Sequence, residues 1–334
     1  MAHQTAADIL GATTARPPLD PELAPAEEAV RTLFPPLSDE TLAETRQQLA
    51  GGYAGLEPED LTAGGRVRLE ERQVPGPEGA PDITLLILSP VQDRSPKGGI
   101  YHIHGGGMVA GDRRTGVSAF LPYVAEGSAV VVSVEYRLAP EHPDPAPVED
   151  CYAGLVWTAK NGAELGIDPE RLLVAGTSAG GGLSAGTALL ARDRDFPRLS
   201  HQVLICPMLD DRFETHSSRM VDGWTGWDRN RNLYGWTSLL GERRGGPDVS
   251  QYAAPARAED LAGLPRTYID TGSAEVFRDE ALIYARRLSE AGVSVDFHMW
   301  GGGFHGFDLM AAHAAVSRAS LAAREEFIRR ALEE

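Results

Sequence analysis

Apolar residues follow two different patterns along this chain, and the change between them falls near residue 104. Before it, Pro/Gly turns separate three strand-like runs, at 66–74, 83–89 and 98–104. Apolar and polar positions alternate in the first of these runs. After it, short apolar runs lack polar alternation, a pattern typical of strands buried on both faces of a parallel sheet. These runs cover 129–136, 171–176, 201–207, 267–270 and 293–299.

Helical patterns lie between most of these runs. An amphipathic stretch at 39–52 ends on glycines, as helices commonly do. Further helices are predicted at 148–165, 178–194, 277–292 and 314–334. The alternation of strands and helices predicts an α/β fold with an open sheet, whose early strands are antiparallel.

One segment interrupts this alternation. Residues 208–255 hold three of the five tryptophans and show no strand pattern. An insertion of this length between two core strands is usually functional, as a lid or a substrate wall. Trp224 and Trp227 either line an acyl pocket or hold the segment together, and the sequence favours neither interpretation.

The stretch "GTSAG" at 176–180 carries the strongest chemical signal. It follows an apolar strand pattern and leads directly into a helix, which is the context in which G-x-S-x-G forms a nucleophile elbow. The flanking glycines allow the strained turn that lifts a hydroxyl off the sheet, and the helix N-terminus offers free N–H groups. Ser178 is therefore the predicted nucleophile.

Three successive glycines, Gly105, Gly106 and Gly107, follow His104 at the end of the third predicted strand. A plain glycine-rich loop is the simpler interpretation. With a nucleophile downstream, we expect the N–H groups of Gly105 and Gly106 to join that of Ala179 in an oxyanion hole. A Cβ there would crowd the substrate. Gly107 would then allow the turn, and the His104 ring would bond to nearby backbone and fix the loop.

Four motifs resemble those of the hormone-sensitive-lipase-like branch of the α/β-hydrolase superfamily, the bacterial carboxylesterases. They are, in order, "HGGG" (104–107), "YRLAPEHP" (136–143), "GTSAGG" (176–181) and "FHGF" (304–307). The resemblance covers nearly the whole chain from about residue 65 onward. The chain departs from the commoner family pattern at Thr177, because an aspartate usually precedes the nucleophile. This GTSAG form is similar to a recognised subgroup of the family.

The resemblance implies an α/β-hydrolase fold, with a mostly parallel eight-stranded sheet flanked by helices and covered by a helical cap. The cap would combine residues 1–55 with the insertion 208–255, and the core would comprise 56–207 and 256–334. It also implies a homodimer and the hydrolysis of short- to medium-chain acyl esters.

A nucleophilic serine needs a general base and an acid that orients it. His305 is the predicted base, because it lies in a glycine-rich loop past the last strand and the superfamily order is Ser, acid, His. The family pattern, matched to "EVFRDE", puts Glu275 at the position of the acid. Asp279, four residues later, stays open as the alternative. Asp270 falls inside a strand, too early in the chain.

Charge and composition narrow the partners. The chain has 31 basic and 48 acidic residues, and its net charge of −17 disfavours nucleic acid. No segment approaches the ~20 apolar residues of a membrane span, and the N-terminus lacks the pattern of a signal peptide. We therefore expect a cytoplasmic protein with no membrane anchor, in which Cys151 and Cys206 are buried, reduced thiols.

The leading hypothesis is a serine carboxylesterase acting on a small acyl-ester substrate, without a cofactor or metal. A deacetylase or a lipase would use the same three residues. A non-catalytic ligand-binding member of the fold is the alternative from a different class. The presence of both Ser178 and His305 argues against it.

Overall fold

One sheet of eight strands organises the part of the chain that the computed structural model describes, residues 6–33, 36–52, 60–92, 96–223 and 226–333. The strand order is β1-β2-β4-β3-β5-β6-β7-β8. The strands are β1 (Val67–Val74), β2 (Ile83–Pro90), β3 (Lys97–Ile103), β4 (Ala129–Glu135), β5 (Ile167–Thr177), β6 (His201–Ile205), β7 (Arg266–Gly272) and β8 (Val295–Trp300).

Strand direction follows the prediction. β1 pairs antiparallel with β2, and β2 pairs antiparallel with β4, whereas the remaining pairs are parallel. Every residue of β3 and β6 is buried, as runs without polar alternation predict. The pattern is misleading for β8, which is only partly buried, because this strand is last in the sheet and has a neighbour on one side only.

Helices cover both faces of the sheet. The helices are α1 (Ala6–Leu10), α2 (Ala24–Leu33), α3 (Leu42–Leu49), α4 (Leu121–Ala125), α5 (Ala146–Lys160), α6 (Gly162–Leu165), α7 (Ala179–Asp193), α8 (Arg229–Leu240), α9 (Arg278–Glu290), α10 (Phe307–Met310) and α11 (Ala315–Glu333). Apolar side chains of α5, α7 and α9 form one core with the sheet, and those of α4 and α11 form the other. Short 3₁₀ turns lie at Val117–Phe120, Ser217–Arg219, Gly241–Arg243 and Pro255–Arg257.

Two segments outside the sheet lie against each other, the N-terminal segment with α1 to α3 and the insertion with α8. The Thr14 hydroxyl donates to the carbonyl of His216 (2.7 Å), and the Tyr234 hydroxyl donates to Asp39 (2.8 Å). The insertion has no strand among its described residues, as expected. Trp224 lies outside the described residues.

The described residues also bear on the two cysteines and on possible membrane spans. Cys151 and Cys206 are buried free thiols, as predicted. No helix there is both long enough and apolar enough to pass through a membrane.

Candidate active site

Ser178 sits in a tight turn between β5, which ends at Thr177, and α7, which begins at Ala179. Its φ of 61° and ψ of −122° place it in a strained region for a residue with a side chain. Two backbone hydrogen bonds hold the turn: the Ser178 N–H donates to Ile205 (2.8 Å), and its carbonyl accepts from Met208 (3.0 Å). The turn therefore has the geometry of a nucleophile elbow.

The glycines on either side of this serine are required by close backbone approach. A Cβ on Gly176 would lie 2.2 Å from the carbonyl oxygen of Gly180, and a Cβ on Gly180 would lie 2.1 Å from that of Ile103. No side chain fits at either position without moving the backbone.

His305 and Glu275 continue from the serine as one chain of hydrogen bonds. His305 Nε2 lies 3.0 Å from the Ser178 hydroxyl, and His305 Nδ1 lies 2.5 Å from Glu275 Oε2. The ring of Phe277 meets the imidazole edge-to-face at 5.2 Å between centroids. The structure thus brings together the three side chains that the sequence analysis selected.

The carboxylate of Glu275 is held rigidly. It is 1% exposed, and its Oε1 accepts hydrogen bonds from the Thr271 hydroxyl (2.7 Å) and the Gly272 N–H (2.6 Å). Its other oxygen is thereby aimed at His305. These two donors escaped the sequence analysis, although their position at the end of β7, just before the acid, is a signal that could have found them.

Asp279, the alternative acid, does not contact His305. Its carboxylate instead accepts from the Ser217 N–H (2.8 Å) and from Arg278 (2.7 Å). These hydrogen bonds lower its pKa against the opposing effect of burial. Asp279 therefore connects the start of α9 to the insertion.

The loop after β3 lies beside the serine. Within the described ranges, nothing accepts a hydrogen bond from the N–H groups of Gly105, Gly106 or Ala179. Ala179 opens α7, and the first N–H groups of a helix lack partners inside the helix. These three groups can consequently donate to a bound oxygen.

At all three glycines of this loop an added Cβ would meet the protein's own atoms. A Cβ on Gly106 would lie 2.1 Å from the carbonyl oxygen of Ala110, and one on Gly107 would lie 2.1 Å from the Trp227 ring. A Cβ on Gly105 would come within 2.9 Å of the Thr177 carbonyl. The protein's own atoms therefore exclude side chains here even without a substrate. The φ of +112° at Gly106 excludes them as well.

His104 is bonded to the backbone of this loop. Its Nδ1 lies 2.8 Å from the carbonyl oxygen of Gly105, and its ring stacks on Tyr136 with centroids 4.1 Å apart. The Tyr136 hydroxyl donates to the His104 carbonyl (2.9 Å). Burial lowers the pKa of His104, which favours a neutral ring that donates from Nδ1.

Ser178 and His305 open into a cavity of about 320 Å³. Its walls include Val30, Leu37 and Leu49 from the N-terminal segment and Trp227 from the insertion. Trp227 both lines this cavity and packs against Gly107, which lies outside the insertion. Two larger recesses, of about 910 and 1060 Å³, contain neither Ser178 nor His305.

One trio of potential metal ligands occurs among the described residues, formed by Cys206, Glu275 and His305, with ligand atoms within 4.8 Å of one another. Glu275 and His305 already share a hydrogen bond. Burial raises the pKa of the Cys206 thiol well above its usual range, whereas metals bind the thiolate. The trio is poorly suited to a resident metal.

Known proteins resemble this chain in sequence and in fold. A family model described as the alpha/beta hydrolase fold matches residues 100–309. Carboxylesterase NlhH of Mycobacterium tuberculosis is 36% identical over 298 residues, covering 85% of this chain and 87% of that protein. An arylesterase of Saccharolobus solfataricus is 33% identical over 273 residues, covering 79% and 83%.

A solved structure of a bacterial heroin esterase is 40% identical, with a TM-score of 0.83, and covers 94% of this chain and 98% of that one. This chain therefore belongs to the α/β-hydrolase family, in its hormone-sensitive-lipase-like carboxylesterase branch. The predicted fold class and the predicted carboxylic ester hydrolase are confirmed.

The glycine loop yields a prediction. Gly106→Ala would force the loop away from Ala110, so we expect kcat to fall about 10²-fold or more, as on loss of an oxyanion donor, together with a lower melting temperature. Gly127→Ala is the control, because Gly127 also has a positive φ (+87°) but an added Cβ would meet nothing within 4 Å. Gly106→Ala with normal activity would remove this loop from the mechanism.

Proposed function

We propose that this chain hydrolyses short- to medium-chain acyl esters with Ser178 as the nucleophile, His305 as the general base and Glu275 as the orienting acid. One observation carries the proposal: the unbroken pair of hydrogen bonds from Ser178 to His305 (3.0 Å) and from His305 to Glu275 (2.5 Å). This is the geometric arrangement by which such triads are recognised on unrelated folds.

The reaction proceeds in two halves. His305 takes the hydroxyl proton as the Ser178 oxygen attacks the ester carbonyl, and the tetrahedral intermediate collapses to an acyl-serine while His305 protonates the leaving alkoxide. Water then attacks the acyl-serine, again losing its proton to His305. The acid is released and the proton returns to Ser178.

The negative oxygen of each tetrahedral intermediate would be bound by the N–H groups of Gly105, Gly106 and Ala179. Their lack of other acceptors supports this role. A donor of this kind typically contributes about 2.7–4 kcal/mol to the transition state, because it is oriented before the charge develops. His104 and Gly107 would hold the loop in place.

The N-terminal segment (1–55) and the insertion (208–255) would form the cap, and residues 56–207 and 256–334 the hydrolase core. Their shared lining of the cavity supports this division. A volume of about 320 Å³ lies at the low end for ligand sites. This size favours small acyl esters over long-chain lipids, while a deacetylase would fit as well.

Two expectations stay predictions: a homodimer formed through the edge of the last strand, and a cytoplasmic location without a nucleic-acid partner. The one-sided pairing of β8 supports the first. The proposed reaction itself needs no metal or cofactor.

Ser178→Ala tests the reaction with p-nitrophenyl butyrate. We expect kcat to fall at least about 10⁴-fold, because the attacking hydroxyl is removed. Ser184→Ala is a matched control, since this buried hydroxyl on α7 has no hydrogen-bond partner among the described residues. Equal, negligible rates in the wild type and in Ser178→Ala would favour the non-catalytic ligand-binding alternative.

The acid is tested by comparing Glu275→Gln with Asp279→Asn. In Glu275→Gln a neutral amide replaces the carboxylate and could no longer stabilise the imidazolium, so kcat should fall about 10⁴-fold. Asp279→Asn should change kcat only a few-fold, because this carboxylate contacts Ser217 and Arg278. The reverse pattern would move the acid to Asp279.

Acyl-chain preference is tested with p-nitrophenyl esters from acetate to palmitate. We expect kcat/KM to peak between butyrate and octanoate and to fall for the longer esters, because the cavity is small. A maximum at palmitate would favour a lipase. A steep decline beyond acetate would favour a deacetylase.

A further inference from the structure

Arg231, Arg324 and Asp308 line the wall of the largely apolar cavity that holds Ser178, and the last two form an ion pair. These two are only 8% and 9% exposed. Neither bonds to Ser178, His305 or Glu275, so the proposed reaction does not account for them. Buried ion pairs carry a desolvation cost, which makes their presence beside a substrate site informative.

The hydrogen bonds of Arg324 leave part of the guanidinium unused. One nitrogen, Nη2, lies 2.7 Å from Asp270 and 2.8 Å from Asp308. No described residue accepts a hydrogen bond from Nε, which is fully enclosed, or from Nη1, which retains accessible surface. Nη1 is therefore a donor still open to a ligand.

Asp308 has the complementary feature. Its Oδ2 faces Arg324, whereas no described residue donates to Oδ1, which also retains accessible surface. The pair thus presents an open donor and an open acceptor in the wall of one cavity.

Charge limits what can bind there. Arg324 already faces two carboxyl groups, and Asp270 also accepts from the Tyr268 hydroxyl (2.9 Å). At this pair a substrate carboxylate would therefore meet no excess positive charge. An ammonium could not accept from Arg324, and a carbonyl or ether could not donate to Asp308. A hydroxyl does both.

We propose that Arg324 and Asp308 form a specificity subsite for a hydroxyl group on the non-reacting part of the ester. The preferred substrates would then be hydroxylated esters, such as partially acylated polyols or hydroxyacyl esters. This inference rests on the proposed function of the same site. The competing explanation is that the pair only holds α10 against α11.

The experiment uses matched substrate pairs. Alkyl acetates from propyl to hexyl, and ethyl esters from propanoate to hexanoate, are each compared with the counterpart bearing a terminal hydroxyl, and kcat/KM is measured by pH-stat. In at least one pair we expect the hydroxylated ester to exceed its parent about tenfold, equivalent to about 1.4 kcal/mol. The series locates the hydroxyl position that reaches the subsite.

Variants then distinguish a binding role of Arg324 and Asp308 from a purely structural one. The readout is the kcat/KM of the hydroxylated ester divided by that of its parent. Arg324→Gln leaves two buried carboxyl groups without their cation and threatens folding. Asp308→Ala, which keeps the Arg324–Asp270 pair, is therefore the second variant. The ratio should fall towards one in both. Arg329→Gln on the same helix, where Arg329 pairs with Glu126 outside the cavity, should keep the wild-type ratio.

The inference is overturned if no hydroxylated ester exceeds its parent in the wild type, or if the ratio survives in folded Asp308→Ala. A further outcome would separate the two proposals. If the wild type hydrolyses the parent esters, Ser178→Ala abolishes that hydrolysis, and the kcat/KM ratio is about one in every pair, then the subsite is overturned and the proposed function stands. Failure of the wild type to hydrolyse any parent ester would overturn both.

Discussion

The backbone conformation of Ser178 is the constraint on which the rest of the site depends. A φ of 61° is costly for a residue with a side chain, and the turn persists because its N–H and its carbonyl are both hydrogen-bonded. The partners, Ile205 and Met208, belong to β6 and the residues just after it. The neighbouring strand therefore fixes the hydroxyl, which would need little rearrangement before the proposed attack.

The same turn also positions the loop that would bind the oxyanion. The two are packed backbone against backbone, because Gly105 lies against the Thr177 carbonyl and Gly180 against the Ile103 carbonyl. A Cβ on Gly105 would also lie only 3.5 Å from the Cβ of Ser178. Donors held in this way are oriented before any charge develops, which is the condition for strong electrostatic catalysis.

The polar groups at this largely apolar cavity are of two kinds, those whose hydrogen bonds are complete and those with open positions. The buried carboxylate of Glu275 has its own donors, so it can orient His305 without moving. Arg324 and Asp308 retain open hydrogen-bonding positions, and they differ from Glu275 in this respect. A low-dielectric environment makes both kinds of group selective, since an unmatched polar atom there is costly.

Local patterns in the sequence determined the eight strands, the turn at Ser178, the glycine loop and the loop that carries His305, because periodicity and turn chemistry act over a dozen residues or fewer. They left two acids open, and only the packing of β7 against its neighbours decided that Glu275 contacts the imidazole. The clash that a Cβ on Gly106 would make with Ala110 is likewise invisible without coordinates. The ion pair between Arg324 and Asp308 is equally invisible in the sequence, because the two residues belong to different helices, α11 and α10. Contacts between side chains depend on how whole elements pack, and the order of residues along the chain does not specify that by itself.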